Sequence, residues 1–139
     1  MSRADGAVTG PIVNPEDKSV ERVLMNINRV VYGVEYSGFR PSYEFFDQSV
    51  NTAISELSKQ LPDYSISIQD YSEDWQHIVL TLDGIDSAKD YYLYSNGQLK
   101  FIASSRKGMP SDRIAQVVET KIKARDGLYI PTLLTLPIG

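Results

Sequence analysis

The chain of 139 residues has no cysteine and a single histidine, His77. Without cysteine it forms no disulfide, no thiolate metal site and no cysteine nucleophile. Both secreted and intracellular proteins can lack cysteine, so the localisation stays open. No stretch approaches the roughly 20 apolar residues of a membrane span. The formal net charge is -4, from 14 basic and 18 acidic residues without a run of one sign. We therefore expect neither nucleic acid nor a membrane surface as a partner.

Signals for export and for hydrolase chemistry are also missing. The opening MSRADGAVTGPIVNPEDK contains no apolar run after a basic start, so we expect neither a signal peptide nor an anchor there. Its glycines and prolines indicate that residues 1–18 form a loop or an incomplete edge. No G-x-S-x-G motif occurs, which is the turn that exposes a serine nucleophile in α/β-hydrolases. The sequence predicts no catalytic residue, no cofactor site and no metal site.

What is present predicts one domain, mainly β with one long amphipathic helix, an α+β fold. A hydrophobic content of 42% over 139 residues is enough for one modest core. Ordered structure is expected from about Ser19. Runs of β-branched and aromatic residues bounded by turn residues predict strands. These runs are Val20–Met25, Val30–Tyr36, Tyr64–Ile68, His77–Leu82, Asp90–Tyr94, Gln98–Ala103, Val117–Ile122 and Leu128–Leu136.

The spacing of the apolar residues changes after Asp47, from the two-residue alternation of strands to the spacing that places them on one stripe of a helix. This stripe consists of Val50, Ala53, Ile54, Leu57 and Leu61. Asp47 or Ser49 is placed to cap the start and Pro62 stops the end, which predicts a helix over 48–61. Its apolar stripe has to lie against a sheet or another helix.

Residues 64–103 predict a four-stranded antiparallel meander. Asn96-Gly97 between its last two strands is a strong hairpin signal, because both residues tolerate the positive φ of a type I′ turn. A polar loop follows, with a short helical turn capped by Ser111 or Asp112. Arg125 to Gly127 form a turn between the last two strands, and Pro131 restricts its strand to an edge, a bulge or the non-bonded side.

The closing segment ARDGLYIPTLLTLPIG resembles the strand pair that leads into the α/β-hydrolase domain in the prolyl oligopeptidase family of serine peptidases, which includes dipeptidyl aminopeptidases and acylaminoacyl peptidases. The matching residues are Ala124, Arg125, Asp126, Gly127, Ile130, Pro131, Leu134, Thr135, Leu136, Pro137 and Gly139. More loosely, VVYGVEYSGFRPSYEFFD and YSEDWQHIVLTLDGIDSAKDYYLYSNGQLKFIAS are similar to the last blades of the β-propeller that precedes this hydrolase.

The resemblance implies a division into residues 1–18, a partial propeller-like domain over 19–122 and a linker strand over 123–139. The catalytic residues would all follow Gly139, so we expect no peptidase activity from this chain. Its implied role is to support the hydrolase domain and to restrict the access of peptide substrates. The implied partners are that domain and a second copy of the chain, bound through exposed strand edges.

A second interpretation belongs to a different class. The chain would be a self-contained α+β interaction module, with a sheet covered by the helix over 48–61, which resembles the peptidases only at its tail. Such a module is expected to stay monomeric, with residues 117–136 paired inside its own sheet. A fragment is expected to associate through the same residues.

Other candidate groups have simpler explanations. His77 belongs to no spacing that supports a Ser-His-Asp set. The acidic residues Asp70, Glu73, Asp74, Asp83 and Asp86 match no EF-hand loop and are interpreted as solvated turns. Tyr32, Tyr36, Tyr43, Tyr64, Tyr71, Tyr91, Tyr92 and Tyr94 are interpreted as packing of a half-buried sheet, with a binding face as the alternative. Arg40, Arg106, Lys107 and Arg113 are interpreted as solvated loop charges, although the resemblance would place them near a substrate carboxylate or the neighbouring domain.

Overall fold

The computed structural model describes residues 10, 13, 18–84, 87–108, 110, 113 and 115–136. Within these residues the chain forms nine strands and one helix. The elements are β1 (Val20–Met25), β2 (Val31–Tyr36), β3 (Ser42–Phe45), α1 (Gln48–Gln60), β4 (Tyr64–Tyr71), β5 (His77–Gly84), β6 (Ser87–Ser95), β7 (Gln98–Ser104), β8 (Gln116–Lys123) and β9 (Tyr129–Leu136). A mainly β chain with a single helix was predicted, and this is confirmed.

The strands form three antiparallel sheets. The first sheet has the order β1-β2-β3, the second sheet has the order β4-β5-β6-β7, and β8 and β9 form a two-stranded ribbon. The predicted meander over 64–103 is therefore confirmed. In the described ranges the sheets are separate and none closes into a ring, so the propeller arrangement stays a prediction.

Strand β3 is absent from the prediction, which places a turn or loop at SGFRP (37–41) and assigns no element to residues 42–46. β3 pairs antiparallel with β2, and Gly33 lies opposite Phe45. A Cβ atom at Gly33 would collide with the carbonyl oxygen of Glu44. The glycine therefore permits the close approach of β3, a pairing that a search for local alternation does not reveal.

The helix begins where the capping signal places it. Asp47 Oδ1 accepts a hydrogen bond from Ser49 N at 2.8 Å, so Asp47 is the cap and Ser49 belongs to the first turn. At the other end the Leu61 N–H donates to Leu57 O, and the helix ends at Gln60, one residue before the predicted end. Val50, Ile54 and Leu57 are buried, as the apolar stripe predicts.

The helix joins the two larger sheets into one body. One core cluster contains Leu24 and Phe45 of the first sheet, Val50 and Ile54 of α1, and Ile68 and Ile78 of the second sheet. A second cluster packs Leu57 against the second sheet through Ile66, Leu80 and Leu82. Burial of each large side chain contributes about 1.5–3 kcal/mol before entropy is subtracted, which is why α1 stays between the sheets.

Turns occupy the predicted positions. Asn96 and Gly97 both have positive φ, at 50° and 74°, as a type I′ hairpin requires. Gly127 has a φ of 89° in the turn between β8 and β9. Pro131 lies within β9 opposite Lys121. Among the described residues neither ribbon strand has a second neighbour, so of the predicted alternatives (an edge, a bulge or the non-bonded side) the proline occupies an edge strand.

Some predictions fall outside the described residues. These are the loop over 1–18 apart from residues 10, 13 and 18, the helical turn capped by Ser111 or Asp112, and the Pro137 and Gly139 positions of the closing motif. Among the residues that are described, no helix has the length and apolar character needed to cross a bilayer.

Candidate functional site: the inter-sheet seam, the groove and the ribbon

The open edge of the second sheet is closed by side chains of the first sheet. The Tyr43 hydroxyl accepts a hydrogen bond from Ile68 N at 3.0 Å and donates to Ile66 O at 3.3 Å. Burial raises the pKa of Tyr43 to about 12, so the hydroxyl stays protonated and can do both. A single phenol thus satisfies a donor and an acceptor of β4 that another strand would otherwise pair.

Arg22 and Tyr71 also join the two sheets. We call the contact formed by Arg22, Tyr43 and Tyr71 the seam. Arg22 Nη2 donates to Ile68 O at 2.6 Å, and in the opposite direction the Tyr71 hydroxyl donates to Met25 O at 3.0 Å. Arg22 Nη2 also lies 2.7 Å from Glu35 Oε2, which fixes the guanidinium against β2. Side chains of β1, β3 and β4, rather than a backbone ladder, therefore hold the first sheet against the edge of β4.

An aromatic cluster lies at one end of the seam. Trp75 stacks on Tyr71 with ring centroids 4.1 Å apart and meets the edges of Tyr32 and Phe45 at 5.5 and 4.8 Å. Trp75 has a φ of 58°, an uncommon conformation for a bulky residue. The contacts to three neighbouring rings compensate for this backbone strain and fix the β4–β5 turn.

A groove of about 410 Å³ opens beside the cluster. Its walls come from the end of β1, the β1–β2 turn and the end of β4. The apolar lining residues Val23, Met25 and Ile27 are 40%, 41% and 93% exposed. Asp70 and Glu73 add two exposed carboxylates, and neither forms an ion pair within the described part of the chain.

The β1–β2 turn that carries Ile27 is rigid. Asn26 Oδ1 accepts hydrogen bonds from Asn28 N at 3.0 Å and from Val30 N at 2.9 Å, while Asn26 Nδ2 donates to the Tyr32 hydroxyl at 3.2 Å. Ile27 is therefore presented to solvent by a turn that the Asn26 side chain holds through these hydrogen bonds. The groove wall is preformed rather than assembled on binding.

The β8–β9 ribbon has one face without charge. Residues opposite each other in the antiparallel register share a face, which places Ile122 with Ile130 and Val118 with Leu134. These four side chains are 54%, 48%, 42% and 49% exposed in that order, and Leu136 on the same face is 40% exposed. We call this the apolar ribbon face, which is formed by Val118, Ile122, Ile130, Leu134 and Leu136.

A polar contact through Arg40 joins the ribbon to the body. Arg40 Nε lies 3.3 Å from Glu119 Oε1, and Arg40 Nη1 donates to Pro62 O. Both charged side chains are almost half exposed, and pairs of that kind contribute between 0 and about 1 kcal/mol. Since a two-stranded hairpin is at best marginally stable alone in water, the ribbon is a segment that lacks a covering partner within the described residues.

His77 comes close to a serine and an aspartate but not in a catalytic arrangement. Ser72 Oγ donates to Asp74 Oδ1 at 2.6 Å and accepts from the backbone N–H of His77 at 3.0 Å. The contact runs through the His77 main chain, so no imidazole is placed to remove the serine proton. These bonds shape the β4–β5 turn, and they also lower the pKa of Asp74.

The other candidate groups are distributed as follows. In the part of the chain that the structure describes, no three acidic or histidine side chains gather as a metal site would require, and Asp86 lies outside that part. The eight strand-associated tyrosines are all buried or half-buried, and five of them pack against the two core clusters, as the packing interpretation predicts. Of the loop cations, Arg40 contacts Glu119 and Pro62 while its side chain stays almost half exposed.

The prediction missed the seam and the groove entirely. Arg22 and its acceptor are separated by 46 positions, and Tyr43 and Ile68 by 25. No local pattern marks such pairs. The acidic residues were predicted to lie in solvated turns. Asp70 and Glu73 are indeed exposed, but Asp70 belongs to β4, and both line the groove.

The chain was compared with protein-family models, curated proteins and solved structures, and none of the three comparisons gives a match.

Proposed function

We propose that the chain is a non-catalytic module of a serine peptidase of the prolyl oligopeptidase family, which supports a neighbouring hydrolase domain and restricts access of peptides to it. The residues ARDGLYIPTLLTL, which carry the resemblance within the described range, form β9 and the turn before it. The single observation that supports the proposal best is the exposed apolar ribbon face on this same segment.

The area of this face favours a tethered partner. Eight residues at about 3.3 Å and two strands about 4.8 Å apart give a face on the order of 250 Å². Two such faces packed on each other would bury on the order of 500 Å², well below the roughly 1,000 Å² of a stable interface between separate chains. A domain in the same polypeptide does not face that limit, because tethering raises its effective concentration.

Two experiments test this proposal. The purified chain is expected not to cleave aminoacyl-nitroanilides, because the described residues hold no nucleophile activated by a base. Activity that persists after removal of contaminants would overturn it.

Sequencing the encoding gene past codon 139 is expected to reveal G-x-S-x-G within about two hundred codons. A stop codon directly after Gly139 would refute the proposal.

The second candidate, a self-contained interaction module, is favoured by a different observation. Among the described residues, the two core clusters draw their buried side chains from the first sheet, α1 and the second sheet. Against it, β8 and β9 pair only with each other and not with either larger sheet. The gene-sequencing experiment separates the two candidates, since the module requires no hydrolase motif downstream.

A further inference from the structure

We propose that the tip of the β8–β9 ribbon of one copy binds the groove between β1 and β4 of a second copy. The ribbon tip is defined by Lys123, Arg125 and Leu128, and the groove by Val23, Met25, Ile27, Asp70 and Glu73. This contact is separate from the apolar ribbon face and does not depend on the proposed peptidase role.

Charge is divided unevenly along the chain. Residues 18–104 contain 12 acidic and 7 basic side chains, whereas residues 105–139 contain 3 acidic and 6 basic ones. The body is therefore acidic and the segment with the ribbon is basic. Opposite net charges on two parts of one molecule favour contacts between unlike parts of two copies.

The groove retains its negative charge. Arg22, the cation in its lining, is bound to Glu35 and to Ile68 O, which leaves Asp70 and Glu73 as the carboxylates that face solvent. The apolar wall beside them is mostly exposed, above all at Ile27. The groove thus offers a place for a side chain that is apolar next to one that is cationic.

The ribbon tip has the complementary chemistry. Leu128 is 65% exposed, and Lys123 and Arg125 are exposed beside it. The turn is fixed by hydrogen bonds from Ala124 N to Leu128 O at 2.7 Å and from Gly127 N to Ala124 O at 3.0 Å. A rigid tip loses little conformational entropy when it enters a preformed groove.

Within one copy, neither Lys123 nor Arg125 forms an ion pair with Asp70 or Glu73 in the described part of the chain. The ribbon is anchored through Arg40, which bonds Pro62 O just before β4 begins, whereas the groove lies where β4 ends at Tyr71. The eight residues of β4 span on the order of 20 Å at about 3.3 Å each. The proposed contact joins the ribbon tip of one copy to the groove of the next copy. Such a head-to-tail contact produces chains or rings.

The contact is small, so we expect weak association with a Kd on the order of 100 µM. The weight-average mass from sedimentation equilibrium is expected to rise above the 15.6 kDa of one chain as the concentration increases. Raising NaCl from 0.1 to 1 M shortens the Debye length from about 10 to about 3 Å and should weaken the association at least roughly fivefold.

Charge reversal gives the decisive test. Lys123→Glu/Arg125→Glu makes tip and groove both acidic, and Asp70→Lys/Glu73→Lys makes both basic, so each variant alone is expected to be monomeric. Mixed in equal amounts, the two variants are complementary at every contact and are expected to associate with a Kd within about threefold of the unmodified chain. Lys59→Glu/Lys100→Glu changes the net charge by the same amount as the first variant, away from both surfaces, and should associate normally.

Circular dichroism of each variant verifies that it is folded. The proposal is overturned if the unmodified chain stays monomeric to 1 mM, if either reversed variant still associates alone, or if the mixture does not. Association that depends on the apolar ribbon face instead would survive both reversals and would count against the tip. None of these results bears on the hydrolase motif downstream, so the two proposals fail independently.

Discussion

At the residue scale, Tyr43 shows how one hydroxyl replaces a neighbouring strand. The edge of β4 presents Ile66 O and Ile68 N toward the first sheet, and the phenol bonds both. Its ring packs against the core cluster that contains Ile68. The tyrosine therefore combines apolar burial with a polar closure that phenylalanine cannot supply.

Tyr43→Phe is expected to lower the free energy of unfolding by about 1–3 kcal/mol, because a backbone donor and acceptor are left unpaired in a half-buried position. Urea denaturation at neutral pH measures this change. The matched control is Tyr129→Phe, at a side chain that is 59% exposed, which should change stability by less than about 0.5 kcal/mol. Equal effects at both positions would contradict the role assigned to the Tyr43 hydroxyl.

Trp75 illustrates a residue whose backbone conformation is maintained by its side chain. Its φ of 58° is adopted readily only by glycine, asparagine and aspartate, yet the ring is held between Tyr71, Tyr32 and Phe45. The turn sequence SEDWQ contains no glycine, so no local sequence signal predicts the positive φ of Trp75. It follows from tertiary packing.

At the scale of elements, α1 is the piece on which the body depends. Three buried side chains on one stripe reach both core clusters, with Val50 and Ile54 in the first and Leu57 in the second. The stripe and the Asp47 cap are both readable from the sequence because their spacing lies within one helix. The partner of the stripe is not readable, because it consists of residues from two different sheets.

Leu57→Ala is expected to cost about 2–4 kcal/mol, since Leu57 is 3% exposed and its removal leaves a cavity against the second sheet. Leu128→Ala removes the same atoms from a side chain that is 65% exposed and should cost less than about 0.5 kcal/mol. Thermal unfolding of the two variants in parallel makes the comparison. A small loss at Leu57 would mean that α1 does not close the core.

At the scale of the whole molecule, the body and the ribbon are energetically unequal. The buried hydrophobic residues all lie between Leu24 and Leu82, and the ribbon contributes none of those described. Its exposed apolar side chains instead resemble half of an interface. The body contains the buried core, whereas the described residues leave the apolar side chains of the ribbon exposed.

Removal of residues 109–139 is expected to leave the remaining chain folded, with a Tm within about 3 °C of the full chain, because the described residues of this segment contribute no buried hydrophobic side chain. Circular dichroism and thermal melting measure this. The shortened chain should also stay monomeric at concentrations where the full chain associates. Unfolding on truncation would show that the ribbon contributes to the core after all.

Local patterns in the sequence are enough to predict most of the elements and most of the turns. The helix from Gln48, the four-stranded meander, the Asn96-Gly97 hairpin and the Gly127 turn follow from spacing and backbone preference over a few residues. Strand β3 was the exception, because its pairing depends on Gly33 in a different strand.

The contacts that the edges of the sheets make follow from tertiary folding and not from local sequence. The seam joins Arg22 and Tyr43 to β4 across 46 and 25 positions, and the groove exists because β1 and β4 end beside each other. Likewise, the exposure of the apolar ribbon face depends on β8 and β9 pairing with nothing else in the described chain. Local rules act between neighbours in sequence, whereas these contacts form between residues that only the folded chain brings together.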